Sequence, residues 1–271
     1  MKVKKAFTLV ELLVVIAIIA VLMSVLMPAL QKARLQATCA VCVSNQHGLS
    51  VAYAIYADDN QGRLVMATVT RPGQAAPYES PWVCSPMTED GTILDRGSPT
   101  GEGGDPATLE DRLRGIRAGK LYEYTETTDI YHCPGDRRIT EGTYFGSSPV
   151  YRMYRTYSIQ LPLGWRDAIT RMSQIKNPGA TYGFVEEYYD GWVTNYNGGF
   201  ILNPNDPDSW WSVIAIWHGD IGTLGFVDGH AEKKKWVDER TVDLELSRTY
   251  PNQPDNPDLQ YMMRGYAIKA D

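Results

Sequence analysis

From Leu12 to Leu30 the chain carries no charged residue over 19 positions, and no other feature narrows its structure so far. A helix of that length rises about 28 Å, close to the ~30 Å hydrocarbon thickness of a bilayer. Lys2, Lys4 and Lys5 precede the run, and Lys32 and Arg34 follow it. Lysines in so short an N-terminal flank favour keeping that end in the cytoplasm, with the remainder outside. One residue does not suit a plain anchor. Glu11 sits at the start of the apolar run, and an ionisable group in such a segment has a cost that is usually met by a function.

Three readings compete. A secretory signal has an apolar region of about 7–15 residues ending at a small-x-small cleavage site, and this run is longer. A plain membrane anchor explains the length and the lysines but leaves Glu11 without a role. The third reading cuts the chain between Ala6 and Phe7, which places a new α-ammonium on an apolar helix with Glu11 one turn downstream. In helices stacked with an axial offset, Glu11 of one subunit meets the ammonium of the next. The pair relieves a desolvation cost that neither charge escapes alone.

The stretch "KKAFTLVELLVVIAIIA" resembles the N-terminal cleavage and methylation segment of type IV prepilins and type II secretion pseudopilins. It has the basic leader, Phe7 at the first mature position, Thr-Leu next, Glu11 at the fifth, and Pro28 where these helices commonly carry a proline. The residue before the cut, usually Gly, is Ala6 here. The resemblance implies a leader over 1–6, removed by a prepilin peptidase that also methylates the amine of Phe7. It implies other pilin-like subunits and an inner-membrane assembly platform as further partners. It places the protein in the bacterial inner membrane as a single-pass chain, with its filament in the periplasm or at the cell surface. Removing the leader leaves 23 basic against 32 acidic side chains and moves the formal balance from −6 to −9.

Pro28 removes one backbone hydrogen bond from the helix, and a neighbouring helix can compensate in lipid. Two readings stay open for it: a tolerated kink near the membrane exit, or a melting point for packing in a filament. Beyond Lys32, apolar residues at Leu35, Cys39, Cys42, Leu49, Ala52, Ile55 and Tyr56 fit one helical face. "DDNQG" (58–62) supplies a stop. The expected helix runs over 7–60, with a transmembrane part at about 12–30, and a head follows over 61–271. The fold class expected is α+β: a long helix on an antiparallel sheet with long loops.

In the head, the Pro- and Gly-rich stretch 70–108 reads as surface loop. Residues 109–125 suit a short helix, and 154–160 and 181–187 suit strands. "SVIAIWHGDIGTLGFVDGHAEKKKWV" (212–237) reads as a three-strand meander over Val213–His218, Thr223–Val227 and His230–Trp236, with Asp228-Gly229 as a two-residue turn. Lys233, Lys234 and Lys235 suit a guarded edge. His218, nine residues, then Asp228-Gly229 is similar to the H-X9-DG processing-associated domain found behind prepilin segments in Planctomycetes, Verrucomicrobia and Lentisphaerae. "HCPGD" and "KNPGATYGFVEE" resemble its recurring stretches.

His218, Asp228 and His230 are of types that suit zinc. The meander puts His218 and Asp228 at opposite ends of a strand, roughly 16 Å apart, so no metal site is expected from them. Resemblance to major pseudopilins raises calcium, with the acids of "DDNQG" and "PNQPDNPD" (251–258) as candidates. Neither stretch completes a calcium loop pattern, and solvated loops are expected. No other cofactor is implied. Four cysteines permit two disulfides; Cys84–Cys133 is the favoured bridge, Cys42–Cys133 its rival, and Cys39 suits the core.

The chain shows no G-x-S-x-G, no phosphate loop and no H-E-x-x-H. Glu186 and Glu187 face opposite sides of a strand and so share no site; a solvated strand end is expected there, and no enzyme. Basic residues form no stripe, which argues against nucleic acid. The function expected is that of a pilin-like subunit in a type II secretion pseudopilus or type IV pilus-like filament. The alternatives are a membrane-anchored envelope module holding a glycan or polymer through Tyr/Trp-rich loops, and, less well supported, an anchored hydrolase.

Overall fold

The computed structural model describes residues 9–67, 80–92, 108–136, 143–145, 148–150, 155–164, 168–188, 199–244 and 251–267. Ala6 and Phe7 lie outside the described residues, as does most of the expected loop over 70–108. Helix α1 spans Leu9–Asp59 and runs through Pro28. Ser24, in the turn before the proline, donates its hydroxyl to the Val21 carbonyl at 2.8 Å. The chain divides into two units, Met1–Ala37 and Thr38–Asp271. The second half of α1 belongs to the second unit because it is built into the head's core.

In the first unit the large apolar side chains of α1 lie on the surface, from Leu35 at 38% exposed to Leu9 at 80%. The helix is long and apolar enough to cross a membrane, and its most apolar stretch buries none of its residues against the protein.

The second unit is built on a mixed, mostly antiparallel sheet. Strands β1 (Thr143–Phe145) and β2 (Ser148–Val150) pair separately as a small hairpin. The main sheet holds β3 (Tyr157–Gln160), β4 (Tyr182–Tyr188), β5 (Gly199–Phe200), β6 (Val213–Ile214), β7 (Ile221–Phe226) and β8 (Ala231–Lys235). Its order is β5-β3-β4-β7-β8, with β6 on β4 and only β3–β5 parallel. The α+β class and the pilin-like arrangement of helix and sheet are as expected.

Two apolar layers flank this sheet. On one face Leu49, Tyr53, Tyr56 and Ala57 of α1 meet Trp82, Tyr131, Ile159 and Phe184. On the other, Tyr182, Val185, Phe200, Trp210, Leu224 and Trp236 meet Leu259 and Met262 of the C-terminal helix Pro257–Gly265. Strand alternation alone would send Tyr182 and Phe184 to one face. A register shift between them lets Tyr182 join the second layer while Phe184 stays in the first.

Helix and sheet approach closely at Gly225. A Cβ there would stand 2.5 Å from Ser50 Oγ and 2.9 Å from the Gln46 carbonyl, so no side chain fits. Beside it Gln46 Nε2 donates to the Thr223 carbonyl and hydroxyl, both at 2.7 Å.

The expected meander is corrected in two respects. The segment expected as Val213–His218 is a strand only over Val213–Ile214, and it pairs with β4 rather than β7. The seven-residue β4 takes the free edge of β7 at Val185↔Leu224, leaving its own last residues, Glu187 and Tyr188, to pair with β6. The Asp-Gly turn is a three-residue loop, Val227–Gly229: Phe226 N donates to His230 O at 2.8 Å and Gly229 N to Phe226 O at 3.0 Å. Gly229 alone in it has positive φ, 102°, so the loop is not the two-residue type with two left-handed residues. The lysine strand β8 is the sheet edge, as expected.

Candidate functional site

Glu11 lies on the exposed apolar part of α1, in the first turn of the described helix. Pro28 sits inside the same helix. The cleavage pair Ala6–Phe7 lies outside the described residues, so the expected meeting of Glu11 with a neighbour's amine is a matter between molecules.

The head holds a second constellation, assembled from four separate segments. Cys42 comes from α1, Cys133 from the turn after the 3-10 helix Asp129–Tyr131, Glu186 from β4, and His218 from the bend before β7. All four are buried, none more than 3% exposed. One ligand atom from each lies within 4.8 Å of the others. His218 Nε2 stands 3.3 Å from Cys133 Sγ and 3.0 Å from Glu186 Oε1. Its Nδ1 is 3.1 Å from Thr38 Oγ1, one turn before Cys42 on α1. Glu186 Oε2 accepts from Thr223 N at 3.0 Å, and Cys133 Sγ accepts from Gly135 N at 3.3 Å.

These neighbours set the titration of the cluster. Burial opposes a charge on His218, but hydrogen bonds to Cys133 and Glu186 and the Glu186 charge outweigh it and hold the imidazole up at about 10. Burial, with Cys42 alongside, pushes the Cys133 thiol well up. Burial also raises Cys39.

The second half of the H-X9-DG spacing lies elsewhere. Asp228 Oδ1 accepts from His230 N at 3.2 Å and meets His230 Nδ1 at 2.5 Å on the exposed hairpin loop. The His230 ring stacks on Phe226 at 4.2 Å. His218 and Asp228 therefore serve separate structures: His218 is buried under α1, and Asp228-Gly229 turns a hairpin. The nearby His47 Nδ1, on α1, is 2.7 Å from the Gly229 carbonyl, so the helix also holds that loop.

Several expectations about single residues change. The expected Cys84–Cys133 bridge is absent: all four cysteines are free, Cys84 Sγ donates to the Ala118 carbonyl at 3.5 Å, and Cys133 faces His218 and Cys42. Burial pushes the Cys84 thiol up to about 11. Glu186 and Glu187 do face different partners, but neither is solvated. Glu187 Oε2 accepts from Ser158 Oγ at 2.5 Å, and the two acids are 1% and 3% exposed. In the calcium candidate 251–258, Asn256 Oδ1 caps the C-terminal helix by accepting from Asp258 N and Leu259 N. Asp258 Oδ2 accepts from Val237 N and Asp238 N. Those oxygens are committed to holding the chain's last helix against the end of β8.

Residues 1–27 match the prokaryotic N-terminal methylation motif. That match, together with the apolar helix behind it, supports a type IV pilin-like protein anchored in the inner membrane. The motif implies processing by prepilin peptidase and assembly of such subunits into filaments. No curated protein and no solved structure matches the chain.

Proposed function

We propose that this chain is a structural subunit of a type II secretion pseudopilus or type IV pilus-like filament, and not an enzyme. In this reading the leader is removed after Ala6, Phe7 becomes the methylated N-terminus, and the head stays outside the cytoplasm. The observation that carries the reading is the methylation motif at 1–27 leading into a helix whose apolar side chains are exposed from Leu9 to Leu30. Such a surface is stable in lipid and equally in a bundle of like helices, so the same stem serves both the stored and the assembled subunit. Glu11 then sets the axial offset in the bundle. Its carboxylate is desolvated on assembly and is repaid only where a neighbour's Phe7 amine comes alongside.

The head's side chains fit a structural role. The buried Trp82, Trp210 and Trp236 are core residues rather than a binding surface. The cluster around His218 also lacks the layout of a nucleophile, base and acid. In such a relay the acid holds the base's second nitrogen, whereas here sulfur and carboxylate share Nε2 and Nδ1 faces a threonine.

Replacing Glu11 with Ala in the native host tests the proposal. The variant should still insert in the membrane and lose its leader, but filaments containing it should vanish. Filaments of unchanged abundance and length would contradict the role given to Glu11.

A further inference from the structure

We propose that Cys42, Cys133, Glu186 and His218 form a closed, four-ligand site for a zinc-class divalent cation, a role independent of filament assembly. The donor set is two thiols, one imidazole and one carboxylate, each a zinc ligand type. A tetrahedral ion with metal–ligand bonds of about 2.0–2.3 Å separates its ligand atoms by roughly 3.3–3.8 Å. The observed separations at His218, 3.3 Å and 3.0 Å, are close to that range, and every ligand atom lies within 4.8 Å of the rest, so side-chain rotation has to draw the group in around an ion.

The surroundings support the same conclusion. A metal-bound histidine donates its other ring N–H to an outer partner that fixes the ring. Thr38 Oγ1 stands at His218 Nδ1 in that position, which leaves the Nε2 lone pair toward the two sulfurs and the carboxylate. Thr223 N holds one oxygen of Glu186 and so aims the other at the centre. Gly135 N points at Cys133 Sγ, as suits a thiolate. A Cys42–Cys133 disulfide would use the two sulfurs but would give no reason for an acid and an imidazole to converge on Cys133 in the core.

All four ligands are buried, so the site has no open position for water and is structural rather than catalytic. Its ion would tie four segments of the second unit: the head-facing half of α1, the turn at Cys133, β4, and the bend before β7. His218 thereby gains a reason to stand at a fixed distance from the Asp228-Gly229 hairpin. One end of β7 is held by the ion and the other is closed by the loop.

The full-length chain, carrying a histidine-free tag and produced with zinc in the medium, is purified in detergent for elemental analysis. About one zinc per chain is expected, removable by chelator and lost in Cys133→Ser. Thr38→Val, which keeps the shape but removes the outer partner, should weaken binding by about 10–100-fold. Cobalt(II) alone, added to the stripped wild-type chain, should give thiolate-to-cobalt charge-transfer absorption with tetrahedral d–d bands. That spectrum is read on the wild-type protein and so stands even where a variant fails to fold. Four titratable thiols with no bound zinc and no cobalt spectrum would overturn the proposal. Recovery of a Cys42–Cys133 disulfide, or cobalt bound without charge transfer, would overturn it equally.

Discussion

Glu186 is a carboxylate inside a protein core, on the strand face covered by α1, and its environment explains why it is tolerated. One oxygen accepts a backbone N–H and the other faces an imidazole. Truncating only one member of such a buried pair strands the other, and typically costs about 3–5 kcal/mol. His218→Ala should therefore lower the melting temperature of the full chain far more than a substitution of exposed His230. A small or equal loss at the two sites, read by thermal denaturation in detergent, would show that Glu186 is not held as described. Cys84 offers a simpler check. Burial keeps its thiol neutral up to about pH 11, and the thiolate is the reactive species. Alkylation at pH 8 should be slow in the native protein and become fast on unfolding. Rapid native labelling of Cys84 would contradict its burial.

Among the elements, the seam between α1 and β7 is the most sensitive. Gly225 gives the helix room, so Gly225→Ala should destabilise by about 1–3 kcal/mol through overpacking. Ser50 opposite it has a buried hydroxyl with no hydrogen-bond partner among the described residues. Ser50→Ala should accordingly be neutral or stabilising, and opposite signs for these two substitutions in one thermal series would be the signature of the seam. At the chain's end, Asn256→Ala removes the cap of the helix Pro257–Gly265 and should cost about 0.5–2 kcal/mol.

The same elements show what could be read from sequence. The apolar run and its continuation marked α1 and its end near Asp59, because helical periodicity and the stop signal are local properties. Asp228-Gly229 and the three lysines gave the hairpin and the edge strand for the same reason. Sheet order was not legible: β6 follows into the β7 bend along the chain, yet pairs with β4. The buried cluster was hidden too. Cys133 and His218 are 85 residues apart, and Thr38 and His218 are 180 apart. Testing His218 against Asp228 followed spacing in the motif, whereas the real neighbours of His218 are fixed by tertiary packing. A cue existed in Cys42, one turn after Thr38 on the helix face that was already expected to enter the head.

At the scale of the molecule, the chain has two units with two different solvents. The first exposes apolar side chains that belong in lipid or among like helices. The second buries its aromatic residues around a sheet and, on the proposal above, around an ion. Chelation should then lower the melting temperature of the head without releasing the protein from the membrane, since the stem contributes no ligand. The central claim concerns the stem: it is a processed, assembling helix and not a permanent anchor. Mass analysis of the N-terminus of the protein taken from its native host tests this most directly. The account predicts a chain beginning at Phe7 with a methylated amine, whereas a chain beginning at Met1 with Lys2, Lys4 and Lys5 still attached would contradict it.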